Sequence, residues 1–517
     1  MPDNLDALVA LLSRGEAYGL PGQPVEQITT HAALISLVGE RAYKMKRPVR
    51  YSFLDFSTSA KRRQALEAEF GLNRRTAPML YHRLIPVTRT AEGGYALQGT
   101  GQPVEWLLEM QRFDQAALLD RIAERGELDG ATIDALAEGI ADFHDHAEQR
   151  PDRGGYAAMR QVIDGNAEDL AGLAKTVFAV TAVDDLNERT RDELERRRDL
   201  LEQRRKAGKV RRCHGDLHLG NIVLWGGRPV LFDCLEFDEA LAAIDTFYDV
   251  AFTLMDLCHR GLRPLAQRLL NGYLDATWDD AGVAMLPLFL SCRAVIRAKV
   301  QGLAAEREDD AEARAREIEA ACAYLDLAAG FLAPAPPRLV AIGGVSGTGK
   351  STLARRLAPA LGSAPGAVLL RSDLVRKKLC GVRPTKRLAP EAYDQRVSRR
   401  VYDTLASRAT EILAAGQAAI VDAVFLDPEE RARIEQVAVE QGARFDGLWL
   451  TAPAGVLTRR LEARRGDASD ATLAVLRDQL AADPGQIAWH AVDCAGAPER
   501  VAAAAAAALG CSPMTPS

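Results

Sequence analysis

The chain has 517 residues, 48% of them apolar and 26% charged, with a formal net charge of −6. That balance matches soluble globular proteins, and the length corresponds to roughly three to four domain-sized units. It excludes a wholly disordered chain, a collagen-like fibre and a small stapled scaffold, and it leaves no chain-wide basic excess for coating nucleic acid. The eight cysteines are scattered with no CxxC pair, which reads as reduced thiols of a cytosolic protein and not as a zinc site. The first residues carry acids where a signal peptide needs bases, and no apolar run approaches the roughly 18 residues of a membrane span. A cytoplasmic protein without a membrane partner is expected.

In chain order, strand patterns occur at 25–30, 34–38, 42–49 and 104–110, interrupted by one helix over 57–75 that a Ser/Thr cluster opens. Residues 115–330 read mainly as helices, apart from a hairpin at 222–232. The stretch Phe331-Leu-Ala-Pro-Ala-Pro-Pro-Arg338 then places three prolines in four positions, which ends helical continuation and favours an extended connector. Beyond it strands and helices alternate over 339–342, 350–361, 367–371, 398–415, 418–422, 428–441, 446–451 and 453–465. Such alternation predicts a parallel sheet with right-handed crossovers. The expected organisation is a small β-rich lobe (1–110), a helical lobe (111–330), a linker (331–337) and an α/β domain (338–512).

The first constellation of chemical groups is Cys213-His-Gly-Asp216-Leu-His-Leu-Gly-Asn221, followed by Ile222-Val-Leu-Trp225, Gly226-Gly227 and Pro229-Val-Leu-Phe-Asp233. Asp216 and Asn221 stand five apart, the spacing of a kinase catalytic loop. The two glycines signal a hairpin turn, and folding the flanking strands back brings Asn221 and Asp233 to one edge. Phosphoryl transfer needs such a set: one carboxylate to take a hydroxyl proton, an amide and a second carboxylate for Mg²⁺.

HGDLHLGN, LFDCLEFD and the later Asp245-Thr-Phe-Tyr-Asp249 resemble the aminoglycoside phosphotransferase (APH)-like family of small-molecule kinases, over roughly residues 25 to 330. The resemblance implies a bilobal, protein-kinase-like fold with Asp216 as catalytic base and Asn221 and Asp233 on Mg²⁺. It also implies His214 and His218 shaping the loop and Asp249 as a structural acid. Lys44 and Lys46 share one face of a small-lobe strand and can pair with Glu67 or Glu69 on the next helix, Lys44 with Glu69 being the favoured pair. Val104–Met110 sits where a hinge strand would meet adenine. No G-x-G-x-x-G precedes Lys44, so phosphate cover must come from another loop.

The second constellation is Gly344-Val-Ser-Gly-Thr-Gly-Lys350-Ser351, a G-x-x-x-x-G-K-[ST] loop between a strand and a helix. Its glycines let successive N–H groups turn onto phosphates at a helix N-terminus. The candidate ATP contacts are Gly344, Gly347, Thr348, Gly349, Lys350, Ser351 and Thr352, with the Ser351 hydroxyl on Mg²⁺. Ser372-Asp373-Leu-Val-Arg376 supplies a D-x-x-R, Asp373 as acceptor base and Arg376 gripping an acceptor anion. Ala418–Asp422 is an apolar strand ending in a metal-orienting acid. Arg460 and Arg464 share a helix face and are either solvated or a lid on the transferring phosphate.

Residues 338–512 resemble small P-loop kinases with a D-x-x-R signature: gluconate kinases, polynucleotide 5′-kinases, chloramphenicol phosphotransferase and zeta-type toxins. The fused order resembles a family of two-domain bacterial predicted kinases. The expected function is a bifunctional ATP- and Mg²⁺-dependent phosphotransferase, each domain acting on a hydroxyl of a small acceptor. The basic segment 371–387 suggests an anionic acceptor at the second site. The alternatives are a ligand or nucleotide sensor coupled to an ATPase switch, and a P-loop part that phosphorylates nucleic-acid ends or nucleotide-sugars; overall acidity counts against nucleic acid.

Overall fold

The computed structural model describes residues 5–511 except 31, 52–53, 237, 334 and 464–468. It divides into two compact units, Met1–Gln161 with Arg197–Thr253, and Val162–Arg196 with Leu254–Ser517. All eight cysteines are free.

The first unit is built on a six-stranded antiparallel sheet. Alternation along its strands sorts side chains onto two faces. Leu34, Val38, Tyr43, Met45 and Leu107 pack toward the N-terminal helix Leu5–Leu12, where Leu8 and Leu12 are buried. Leu37, Ala42, Leu108 and Met110 face a second core shared with Leu66 of the helix Ser59–Asn73 and with Val223 and Val230 of the hairpin. Thr58 caps that helix by accepting from the Lys61 N–H. The expected hinge segment is the strand Pro103–Gln111, paired with Arg41–Lys46 on one side and Tyr81–Arg89 on the other. Tyr81–Arg89 was not among the expected strands, since its exposed His82 and Arg83 and internal Pro86 break the alternating pattern.

The hairpin forms as expected, Ile222–Trp225 against Arg228–Leu231, with Gly226 and Gly227 at φ +56° and +77°. Two consecutive left-handed residues are what a two-residue turn matched to strand twist requires, and glycine adopts them without a Cβ clash.

The second unit contains a five-stranded parallel sheet in the order Val368–Arg371, Ala419–Asp422, Arg338–Gly343, Arg444–Thr451, His490–Asp493. Val340, Ile342, Ile420, Leu448 and Leu450 are almost completely buried, as strands covered on both faces must be. The helix Leu473–Ala481 and the edge strand His490–Asp493 were not expected; the strand is mostly exposed and carries little apolar signal.

The proline-rich seam is not where packing divides the molecule. The helices Arg263–Thr277, Leu286–Arg307 and Ala311–Phe331 fall in the same unit as the parallel sheet. Buried polar groups tie the first of them to the sheet edge: Asn271 Oδ1 accepts from the Leu369 N–H at 2.6 Å and Gln267 Nε2 donates to the Ala367 carbonyl at 3.1 Å. Arg408 forms a two-pronged ion pair with Asp280 at 2.6 and 2.9 Å, both side chains buried. One stretch, Asp280–Arg307, is long and apolar enough to cross a membrane, against the expectation that no apolar run would be. Its most apolar part is 78% buried inside the fold, the setting of a core helix.

Candidate active sites

In the first unit, the strand Arg41–Lys46 points Ala42, Lys44 and Lys46 to one face, opposite the helix Ser59–Asn73. Glu69, fully buried on that helix, receives both ammonium groups: Lys44 Nζ at 2.7 Å and Lys46 Nζ at 2.6 Å. Glu67 points away and pairs with Arg63 on the exposed face. Lys44 also reaches Asp233 Oδ1 at 2.8 Å, and Lys46 reaches Glu236 Oε1 at 2.6 Å. Burial works against the charge on Lys44, but Asp233, Glu69 and Glu236 outweigh it and lift its pKa well above the usual lysine range. Burial likewise raises Asp233; Lys44 and Lys46 outweigh it and hold the carboxyl below its usual range.

Asp233 has φ +60°, the left-handed region that a non-glycine residue seldom adopts. Tyr81 Oη accepts from the Asp233 N–H at 3.1 Å, and Asn73 Oδ1 accepts from the Cys234 N–H at 2.8 Å. Those two bonds hold the strained backbone so that the carboxylate turns back toward Lys44. On the catalytic loop, Asn221 Nδ2 donates to the Asp216 carbonyl at 2.9 Å and to its carboxylate at 3.0 Å. The Phe232 N–H donates to the Asn221 carbonyl at 3.0 Å, so the hairpin does close with Asn221 beside the Asp233 end.

Asp249, fully buried, accepts from the backbone N–H groups of His214 (3.0 Å) and Gly215 (2.8 Å) and fixes the turn that presents Asp216. His214 Nδ1 accepts from the Asp216 N–H and its Nε2 faces the Phe232 carbonyl at 2.9 Å, which links loop to hairpin. His218 Nδ1 accepts from the Gly220 N–H at 3.1 Å. Sequence reading missed Tyr81, Asn73 and Glu236. Tyr81 and Asn73 carry no local motif, and Glu236 sits in LEFD without a spacing that announces it.

In the second unit the glycine-rich loop joins the strand Arg338–Gly343 to the helix Lys350–Leu357. Gly344, Gly347 and Gly349 have φ of +130°, +90° and +94°. A Cβ on Gly344 would lie 2.5 Å from the Leu450 carbonyl oxygen and one on Gly347 3.1 Å from that of Leu457, so both must be glycine for the loop to curl this tightly. Thr348 Oγ1 donates to the Val345 carbonyl and the Ser346 N–H to Gln479, each at 2.8 Å. Lys350 Nζ donates to the carbonyls of Gly344 (2.8 Å) and Val345 (3.1 Å), curled over the loop.

Ser351 Oγ donates to Asp422 Oδ2 at 2.5 Å. This pair of hard oxygens at a helix N-terminus suits a magnesium ion, and the open cradle beside it suits a polyphosphate. In the first unit, the carboxylates of Asp216 and Asp233 with the Asn221 amide fit the same kind of ion.

A cavity of about 440 Å³ opens beside the loop, lined by Gly347, Gly349, Lys350, Ser351 and Thr352 together with Asp373, Arg376, Tyr402 and Glu430. Burial and the nearby Asp422 charge raise the Asp373 carboxyl, against Arg371 and Lys350. Burial pushes Glu430 up to about 7.

Arg376 lines the cavity and is braced there. Its Nη1 donates to the Ala392 carbonyl (2.7 Å) and Ser398 Oγ (3.3 Å), and its guanidinium lies 4.9 Å over the Tyr393 ring. Arg460 donates to the carbonyls of Thr348 (3.4 Å) and Cys494 (2.7 Å), which ties its helix to the loop. Arg464 lies outside the described residues.

A protein-kinase-like sheet and catalytic loop in one part of the chain, and a parallel sheet with a phosphate-cradling loop in the other, define a tandem of phosphotransferase-type folds. Comparison with known proteins agrees: the phosphotransferase enzyme family matches residues 56–286 and an AAA domain family matches 339–483. "Uncharacterized protein Rv2004c" of Mycobacterium tuberculosis is 30% identical over 497 residues, covering 94% of this chain and 95% of its own, and a Mycobacterium bovis protein matches equally. The chain belongs to this two-domain family. Among solved structures, a choline/ethanolamine kinase family protein from Mesorhizobium loti is 13% identical, covering 62% of this chain and 98% of its own, with a TM-score of 0.36. A gluconokinase from Sinorhizobium meliloti is 23% identical, covering 34% of this chain and 94% of its own, with a TM-score of 0.25. Likenesses this distant say nothing about substrate.

Proposed function

We propose that the chain carries two phosphotransferase active sites, each moving the γ-phosphoryl group of ATP to a hydroxyl of a small acceptor. The observation that carries the reading is that each site joins an acceptor-side carboxylate to phosphate- and metal-holding groups. In the first, Asp216 stands beside Asn221, and Asp233 is held on Lys44. In the second, Asp373 shares a cavity with Lys350, Ser351 and Asp422.

Magnesium ATP, when bound, supplies the transferable group and neutralises its developing charge. Asp216 would accept the proton of the first acceptor hydroxyl, with Asn221 and Asp233 on the metal. Lys44, oriented by Glu69, would hold phosphate oxygens, and Lys46 would fix Glu69 and Glu236 around it. In the second site Ser351 and Asp422 would hold the metal, Lys350 the β- and γ-phosphates, and Asp373 would take the acceptor proton. A sensor or ATPase switch has no use for two acceptor-side bases.

The test is labelling of a small-metabolite pool with γ-labelled ATP by the wild-type chain, Asp216→Asn and Asp373→Asn. Each substitution is expected to remove a different labelled product. Two variants that both label the full wild-type set would end the two-site reading.

A further inference from the structure

One peptide group of the glycine-rich loop in the second unit is gripped from two sides. The Val345 carbonyl accepts from Lys350 Nζ at 3.1 Å, and the Ser346 N–H, the other half of the same peptide, donates to Gln479 Oε1 at 2.8 Å. Gln479 belongs to the helix Leu473–Ala481, 133 residues further along the chain than Ser346. A backbone N–H can only donate, so the oxygen of the carboxamide is the atom held on the loop. Its NH2 group, a donor of two hydrogens, is fixed beside it on the same planar amide.

The stretch leading into that helix touches the acceptor-side carboxylate. Ser469 hydrogen-bonds the Asp373 carboxyl. Asp470, next to it, accepts from the Leu388 N–H and from Tyr393 Oη, each at 2.9 Å, and pairs with Lys377 Nζ at 3.1 Å. Lys377 is 1% exposed, so this anchor lies in the interior. Ser469, Asp470 and Gln479 line the same cavity as Lys350, Ser351 and Asp373. Residues 469–479 therefore run from the candidate base to the glycine-rich loop, the two places between which a transferred phosphoryl group must pass.

We propose that Gln479 binds the γ-phosphate at the second site, its NH2 group donating to a γ-phosphoryl oxygen while its own oxygen keeps the Ser346 N–H. This deepens the phosphotransferase reading of that site and rests on it. In the transfer a bond forms between the acceptor oxygen and the γ-phosphorus, the bridging oxygen leaves with ADP, and Asp373 takes the hydroxyl proton. Gln479 gives up no proton. A donor already held in place needs no reorganisation as charge shifts across the phosphoryl oxygens.

The experiment uses the full chain as wild type, Gln479→Glu, Gln479→Leu and Lys350→Ala, with binding of magnesium β,γ-imido-ATP and of magnesium ADP measured by equilibrium dialysis. Binding that Lys350→Ala removes belongs to the second site. Gln479→Glu keeps an acceptor for Ser346 and loses the donor, so the second site should lose about tenfold in affinity for the triphosphate and stay within about twofold for ADP. Gln479→Leu, which introduces no charge, should also lose more for the triphosphate than for ADP, by about threefold. Equal losses for the two nucleotides would mean a brace for the loop and overturn the proposal. An unchanged triphosphate affinity, or a discrimination confined to Gln479→Glu, would overturn it too. Each of these leaves the kinase reading standing where Asp373-dependent labelling persists. Absence of any Lys350-dependent binding would overturn the kinase reading of this site and the proposal together.

Discussion

Asp249 shows how much a single buried carboxylate organises. It touches no reacting atom, yet its two oxygens hold the N–H groups of His214 and Gly215, and Asp216 follows directly. Asp249→Ala leaves both donors buried without that acceptor, each costing about 1–3 kcal/mol. Urea unfolding of the variant should show this loss, together with reduced Asp216-dependent labelling. At Asp275, burial raises the carboxyl from 3.8 to about 6, against the favourable charges of Arg408, Arg371 and Arg355. Below about pH 4 both folded and unfolded chains are protonated there. Between about 4 and 6 the unfolded chain ionises first, so the native state loses stability as pH rises through that window and the deficit then stays constant. Asp275→Asn should therefore gain thermal midpoint over wild type at pH 7.5 relative to the difference at about pH 4.5; equal differences would refute the assignment.

At the scale of elements, the edge strand Val368–Arg371 is the informative case. An edge strand exposes unpaired backbone groups that invite wrong pairing. Here Asn271 of the helix Arg263–Thr277 covers Leu369, with Gln267 on Ala367. Asn271→Ala should speed hydrogen exchange at the Leu369 amide and lower stability by about 1–3 kcal/mol. Unchanged exchange at Leu369 would mean that the strand protects itself. Most strands and helices between 338 and 463 were legible to within a few residues because each is a short buried strand or a long amphipathic helix; the eight-residue helix Ser372–Leu379 was not among them. Tyr81–Arg89 and His490–Asp493 were not, because neither carries a clean alternation of apolar residues. Lys44 and Glu69 were legible from strand and helix periodicity. That Glu69 would serve Lys46 as well depends on a helix and a strand that meet only in three dimensions.

At the scale of the whole chain, the proline seam at 331–338 invites a cut that packing contradicts. A protein beginning at Arg338 lacks Asn271, Gln267 and Asp280, and so leaves the sheet edge bare and Arg408 without its anion. Removing one partner of a buried ion pair costs about 3–5 kcal/mol. The 338–517 fragment should unfold non-cooperatively or aggregate in urea titration. In the full chain, Asp280→Ala should destabilise by about 3–5 kcal/mol, whereas Asp280→Leu with Arg408→Leu should recover most of it. A cooperative, soluble 338–517 fragment would show that these contacts are dispensable.

Both candidate sites are legible in the chain itself. Asp216, Asn221 and Asp233, like the glycine-rich loop with Lys350 and Ser351, are set by spacing along a hairpin or a strand–loop–helix turn, where local geometry fixes the outcome. What the isolated charges do depends on the folded chain. Arg376, Lys377 and Arg460 became braces for backbone and buried anions, and the helices before the proline seam became part of the second unit. A charge left in a folded interior must find whichever partner lies within a few ångströms, and that partner is often a hundred residues away in the chain.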